Sequence, residues 1–314
     1  MKFLKTKTYL VFVSSVIILI SCKAEKGEVK KEIQAPKNIA NIGCPDYLLK
    51  NKYNNLNISL LLDLSDRISD EKYSNQTMSY SDRDLGYIEV ISKSFIQHIE
   101  KKRLVLMNDK IQLYFEPAPL DETINIKSKQ LKEYFDRNLS KKVIEQMKVD
   151  YNVLPKEIYS LAQKDNKYVG SDIWRFFKDK VKRYCIEECN RNILIIITDG
   201  YVYHEETKLK EENFTSYITP SQLRKYGLNN SKWKEIIEEK KFGFIQATDG
   251  LNDLEVLVLG VENHDRKRNP YGKDIIEKYW KDWLGNMGVK KFEVYGAELP
   301  SNIESSIKEF ILSN

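Results

Sequence analysis

Residues 193–197 read Ile-Leu-Ile-Ile-Ile, leaving no polar side chain for either face of a pleated strand to turn toward water. Such a short apolar run is a strand buried on both faces, and strands of that kind belong to parallel sheets covered by helices on both sides. Ile58 to Leu62 and Leu254 to Val261 repeat the signal, and shorter strands are expected at Ile111 to Phe115 and Phe292 to Tyr295. Between them, apolar residues recur at helical spacing: Leu85, Ile88, Ile91, Phe95 and Ile99, then Ile173, Phe177, Val181 and Tyr184, then Ile276, Tyr279, Trp280, Trp283 and Met287. Further helices are expected over 127–148 and 155–164, and a last one opening on a capping box, Ser301 to Glu304. Strands alternating with helices predict an α/β fold, a Rossmann-like three-layer sandwich with a mostly parallel central sheet and helices on both faces.

Composition narrows the class. The chain of 314 residues carries 51 Lys+Arg against 46 Asp+Glu, mixed along its length, which is neither a nucleic-acid-binding tail nor an acidic one. Four cysteines are too few for a disulfide-built scaffold, and no solenoid or propeller repeat is present. The N-terminus has an export pattern: Lys2, Lys5 and Lys7 precede an uncharged apolar stretch from Tyr9 to Ile20. As a helix that stretch spans roughly 18 Å, short of a hydrocarbon core of ~30 Å, so it is a signal segment and not a membrane span. It ends in Leu19-Ile20-Ser21-Cys22. This resembles the bacterial lipoprotein signal, which implies cleavage after residue 21 and acylation of Cys22. Losing residues 1–21 removes three lysines and no acid, so the basic excess belongs mostly to the signal and a nucleic-acid partner is discarded. Residues 22–47 are then a charged tether, and 48–314 a folded domain with an insertion at about 201–253. The residue after Cys22 is Lys23 and not aspartate, which points to the outer membrane of a bacterial envelope over the inner one. Cys44, Cys185 and Cys189 lie where disulfides are permitted; a Cys185–Cys189 loop and buried free thiols both stay open.

In doubly wound sheets ligands bind beyond the carboxyl ends of the strands, so the loops after Leu62, Ile197 and Val261 are the places to look. The first reads Asp63-Leu64-Ser65-Asp66-Arg67, and the second Thr198-Asp199-Gly200. A third loop carries Gly170-Ser171-Asp172 ahead of a helix. Carboxylate and hydroxyl oxygens are hard ligands suited to Mg²⁺ or another divalent cation. Taken alone, Asp199-Gly200 would be an ordinary turn pair; with Asp63 on a second strand end the two are read as a site. Asp172 is assigned to the first turn of a helix, His98 to the surface or to packing, His204 to an exposed position five residues beyond Asp199 from which it could reach the site edge, and Trp280 and Trp283 to the core.

These three loops resemble the von Willebrand factor type A domain family. The family's metal-ion-dependent adhesion site combines Asp-x-Ser-x-Ser, a hydroxyl from a middle loop and an Asp after the fourth strand. The resemblance implies Asp63, Ser65, Ser171 and Asp199 as metal ligands, and a non-enzymatic protein-recognition or scaffolding domain whose partner offers an acidic side chain to the metal. Arg67 stands where the family has its second serine. At 4 Å and an effective dielectric of 20, like unit charges repel by about 4 kcal/mol, and a divalent ion would meet about twice that. If Arg67 points inward it replaces the metal and pairs with Asp63 and Asp199. If it points outward, water can complete a weak Mg²⁺ site, with Asp66 or Ser69 near enough in sequence to contribute. The alternative is a haloacid-dehalogenase-like Mg-dependent phosphohydrolase using Asp63, a pattern that lacks its second acid because that position is Ser65.

Overall fold

The computed structural model describes residues 44–313 apart from 139, 166, 168 and 169. The signal segment, Cys22 and the tether up to residue 43 lie outside the described residues. The strands are β1 (Leu56–Leu62), β2 (Asn108–Tyr114), β3 (Glu133–Asp136), β4 (Arg191–Ile197), β5 (Lys210–Glu211), β6 (Phe214–Thr215), β7 (Gly243–Phe244), β8 (Leu254–Val261) and β9 (Lys291–Gly296). The helices are α1 (Asp46–Leu49), α2 (Tyr80–Glu100), α3 (Glu122–Gln130), α4 (Lys141–Asp165), α5 (Ile173–Arg175), α6 (Val181–Cys185), α7 (Pro220–Lys225), α8 (Trp233–Lys240), α9 (Gly272–Asn286) and α10 (Pro300–Leu312).

Six strands form the central sheet in the order β3-β2-β1-β4-β8-β9, parallel throughout except for the antiparallel edge strand β3. Side-chain alternation divides each central strand between two apolar layers. Ile58, Leu60, Ile193, Ile195, Leu257 and Leu259 face α2, α4 and α10, meeting Ile91, Phe95, Ile158, Ile307 and Phe310. Leu61, Leu194, Ile196, Val256 and Val258 face α5, α6 and α9, meeting Phe177, Val181, Ile276, Trp280 and Trp283. The fold is thus a Rossmann-like three-layer α/β sandwich. The chain moves one way along the sheet from β1 to β2 and the other way from β4 to β8, so the topological switch point falls between β1 and β4.

The insertion after β4 is a folded part of the second layer. Its three-stranded sheet, β5-β6-β7, with α7 and α8 brings Ile218, Leu223, Trp233, Ile237 and Phe244 against the α9 side of the core. Several local expectations change. The stretch expected as one helix over 127–148 is broken by β3, whose one fully buried residue, Phe135, leaves too little alternation to register in sequence. Pro155 does not begin a helix but lies inside α4. The run from Ile173 to Cys185 is helical with a π-helical segment over Phe176–Lys180. Ser301 does not cap α10, which starts at Pro300 with no side-chain cap. Its other end is held by buried Arg191, which donates to the carbonyls of Phe310 and Ile311 at 2.7 and 2.8 Å while paired with both oxygens of Glu255.

Cys44 and Cys189 form a disulfide, joining the start of the folded body to the loop before β4, and Cys185 is a buried free thiol. Burial pushes that thiol up to about 12, which makes it inert. Non-reducing peptide mapping is therefore expected to recover a Cys44–Cys189 cross-linked peptide, and Cys185 to resist alkylation until the protein is unfolded. The Cys44→Ser/Cys189→Ser double variant should lose about 2–5 kcal/mol in chemical denaturation, since the bond closes a long loop.

Candidate functional site

The carboxyl ends of β1 and β4 lie side by side: the Asp63 N–H donates to the Ile197 carbonyl at 3.0 Å, continuing the ladder beyond both strands. This places Asp63, Thr198 and Asp199 at the switch point. The turn after Asp199 needs Gly200, whose φ is 88° and whose missing Cβ would come within 2.6 Å of Ile276. Trp280 supports the same turn from below, its indole N–H donating to the Gly200 carbonyl at 2.9 Å. Trp280 and Trp283 are core residues.

Arg67 points inward. Its guanidinium is buried, with Nε donating to the Asp63 carbonyl at 3.0 Å and lying 3.6 Å from Asp63 Oδ2. Nη2 donates to Asp84 Oδ2 at 2.5 Å and to the Ile197 carbonyl at 3.2 Å. Asp84, from α2, also accepts the Tyr159 hydroxyl of α4 at 2.7 Å. The Asp63 carboxylate is occupied on both oxygens, Oδ1 by the Ser65 backbone N–H at 2.9 Å and Oδ2 by the Thr198 hydroxyl at 2.7 Å. Burial raises the carboxyls of Asp63 and Asp84 above the ordinary range, and Arg67 opposes that rise in both. Desolvation works against the charge on Arg67, but Asp84 and then Asp63 outweigh it and raise its pKa.

Of the two partners expected for an inward Arg67, Asp63 is present, and Asp84 takes the place expected for Asp199. Asp199 instead holds His264, from the loop after β8, with Oδ2 2.9 Å from Nε2, while its Oδ1 accepts the Tyr201 N–H at 2.9 Å. The imidazole is enclosed by tyrosines, with ring centroids at 4.3 Å to Tyr73, 5.6 Å to Tyr80 and 6.0 Å to Tyr201. The His264 loop is tied to the insertion by an ion pair between Asp265 and Arg224 of α7.

Ser171 is buried and enters through its backbone, the N–H donating to the Tyr203 carbonyl at 3.3 Å. Asp172 caps α5 by accepting the Arg175 N–H at 3.0 Å. His204 is not on the open surface: it sits partly buried with Nδ1 3.5 Å from Asp172 Oδ2. His98 is likewise engaged, bridging the Asn54 carbonyl at 2.9 Å and Asp109 at 3.0 Å.

The donor set fits a divalent ion poorly. Both oxygens of Asp63 and both of Asp199 already accept hydrogen bonds or face an imidazole, and a guanidinium lies behind the first. Among the described residues no group of three or more His, Cys, Asp or Glu is placed to hold a metal ion. Asp84 and His264 were not singled out in the sequence, though each had a signal. Asp84 interrupts the apolar stripe of α2, and His264 lies in the third loop at the carboxyl edge, three residues beyond β8.

No family model matches the chain, and no curated protein matches it. Solved structures do. An aerotolerance-related membrane protein from Bacteroides fragilis NCTC 9343 is similar over 82% of this chain and 98% of its own, at 11% identity and a TM-score of 0.34. BatB from Bacteroides thetaiotaomicron is similar over 82% of this chain and 97% of its own, at 12% identity and a TM-score of 0.36. The pilus adhesin SpaC from Lactobacillus rhamnosus GG is similar over 82% of this chain and 30% of its own, at 10% identity and a TM-score of 0.39.

Removing one partner from a buried ion pair costs about 3–5 kcal/mol, and Arg67→Met is expected to lose that much at neutral pH. Without the guanidinium the Asp84 carboxyl rises further, so the folded variant binds more protons than the wild type and recovers stability as pH falls. Denaturation of both proteins at about pH 7 and about pH 5 should show the gap narrowing toward acid.

Proposed function

We propose that this is a lipid-anchored, non-enzymatic recognition or scaffolding domain of the von Willebrand factor type A kind, working without a metal. The observation that carries the reading is the inward Arg67, hydrogen-bonded to Asp84 and to the Asp63 backbone at the position where such a domain would complete its ion site. A fixed guanidinium supplies positive charge beside Asp63, and His264 covers Asp199, so neither carboxylate is left needing a cation. The rim above is then built from half-buried Tyr73 and Tyr201 around His264, backed by buried Tyr80, side chains suited to a protein partner because they combine apolar area with hydrogen bonding. The partner is a protein approached through this rim, and the anchor is the acylated Cys22 in a bacterial envelope, at the outer membrane in preference to the inner.

The phosphohydrolase alternative asks Asp63 to attack a phosphorus atom. Its carboxylate is buried, each oxygen accepts a hydrogen bond and Arg67 lies beside it, all of which weaken it as a nucleophile, and Ser65 stands where that pattern has its general acid. A divalent-ion site is the second reading, and one titration separates it from the first. The melting temperature should not move when Mg²⁺ or Mn²⁺ is added or chelated, whereas an ion at a hundredfold excess over its Kd would add about 2.7 kcal/mol. A metal-dependent shift that disappears in Asp63→Ala would replace the arginine-centred reading with the metal-centred one.

A further inference from the structure

The end of the sheet opposite the Asp63 site carries an unusual surface. Leu104, Val105 and Leu106, in the turn between α2 and β2, are 50%, 70% and 40% exposed, three adjacent aliphatic side chains with no cover. Exposed Lys101 and Arg103 precede them, and exposed Arg137 and Lys141 follow the β3 edge on the same side. Glu100 and Glu145, the acids beside this turn, are each taken up by Lys148 at 2.9 Å, while Asp46 of α1 stays exposed. Two exposed tyrosines lie at the same edge. The Tyr134 hydroxyl donates to Asn108 at 2.7 Å, and Tyr47 is near enough to bear on the Tyr134 phenol.

The chain also enters the body here. Cys44 is bonded to Cys189 beside the first residue of β4, and Lys102 donates to the Asn54 carbonyl at 2.6 Å and to Asn55 at 3.0 Å, locking the α2–β2 turn against the entering segment. These residues cluster at the amino ends of the parallel strands, with Arg137 and Lys141 brought there by the antiparallel run of β3, whereas Asp63, Asp199 and His264 follow the parallel strands' carboxyl ends.

We propose that this amino edge is a membrane-interface surface, with Leu104, Val105 and Leu106 entering the headgroup region of an anionic lipid layer. The chemistry matches such a layer in three respects. A short apolar loop can bury a few ångströms deep without leaving polar backbone in hydrocarbon. Lysine and arginine around it are attracted to anionic headgroups. Tyrosines with a wet hydroxyl and an apolar ring sit at that depth. The orientation agrees with the anchoring in the proposed function, since it turns the tyrosine–histidine rim away from the lipid, but it does not require acylation of Cys22.

The test uses the chain from residue 22 onward with Cys22→Ser, so that no acyl chain is present, in flotation with phosphatidylcholine vesicles and with vesicles containing phosphatidylglycerol. Binding is expected to the anionic vesicles only, and to weaken with salt. Leu104→Ser/Val105→Ser/Leu106→Ser should weaken partitioning at least about tenfold, and Val105→Ser alone, at the most exposed of the three positions, should weaken it in the same direction with the melting temperature kept. Lys101→Gln and Arg103→Gln should each weaken it about fivefold. No flotation of the parent chain, equal binding to both vesicle types, or binding untouched by the triple variant would overturn the proposal. Mass spectrometry of the envelope-extracted protein reports separately on Cys22: a missing acyl group would remove the anchor and leave the vesicle result standing.

Discussion

A guanidinium buried between two carboxylates sets the terms for the rest of this molecule. Taking such charges out of water costs several kcal/mol per ion, and only close geometry with further hydrogen bonds recovers it. Arg67 meets that condition by reaching three elements at once: the loop after β1, the last carbonyl of β4 and Asp84 on α2, itself bonded to Tyr159 of α4. The switch point, which in an open α/β sheet is a crevice for ligands, is here filled from below by the protein's own cation.

The other carboxylate is handled by a different device. Asp199 meets an imidazole, and that imidazole is placed by a loop whose Asp265 is bound to Arg224 in the insertion. The insertion therefore acts on the site indirectly. It packs its apolar residues against α9 and, through one ion pair, bears on where His264 stands. Trp280 links the same layer to the Gly200 turn, so the core of the second face and the geometry of the rim are a single problem.

The two ends of the sheet differ in character. At the carboxyl edge, Asp63, Arg67 and Asp199 are buried and partnered, with tyrosines and an imidazole packed over them. At the amino edge, three aliphatic side chains are open among lysines and arginines, next to the disulfide that fastens the entering chain.

Much of this was legible in the sequence. The run 193–197, with its mostly apolar companions at 58–62 and 254–261, pointed to a sheet buried on both faces, and the helical spacing between the runs made that sheet parallel, because a strand apolar on both sides needs cover on both. The sheet in turn determined that Asp63 and Asp199 would share an edge, since parallel strands all end on the same side. Even the inward turn of Arg67 was one of two outcomes open in the residues themselves. What only the tertiary structure decided was who pairs with whom. Asp84 and Tyr159 come from helices distant in sequence, and His264 from a loop more than sixty positions beyond Asp199, at a separation of 65. Periodicity reports which face of an element is buried but not which neighbour it meets there. A buried charge takes its partner from that neighbour, and local sequence carries no record of it.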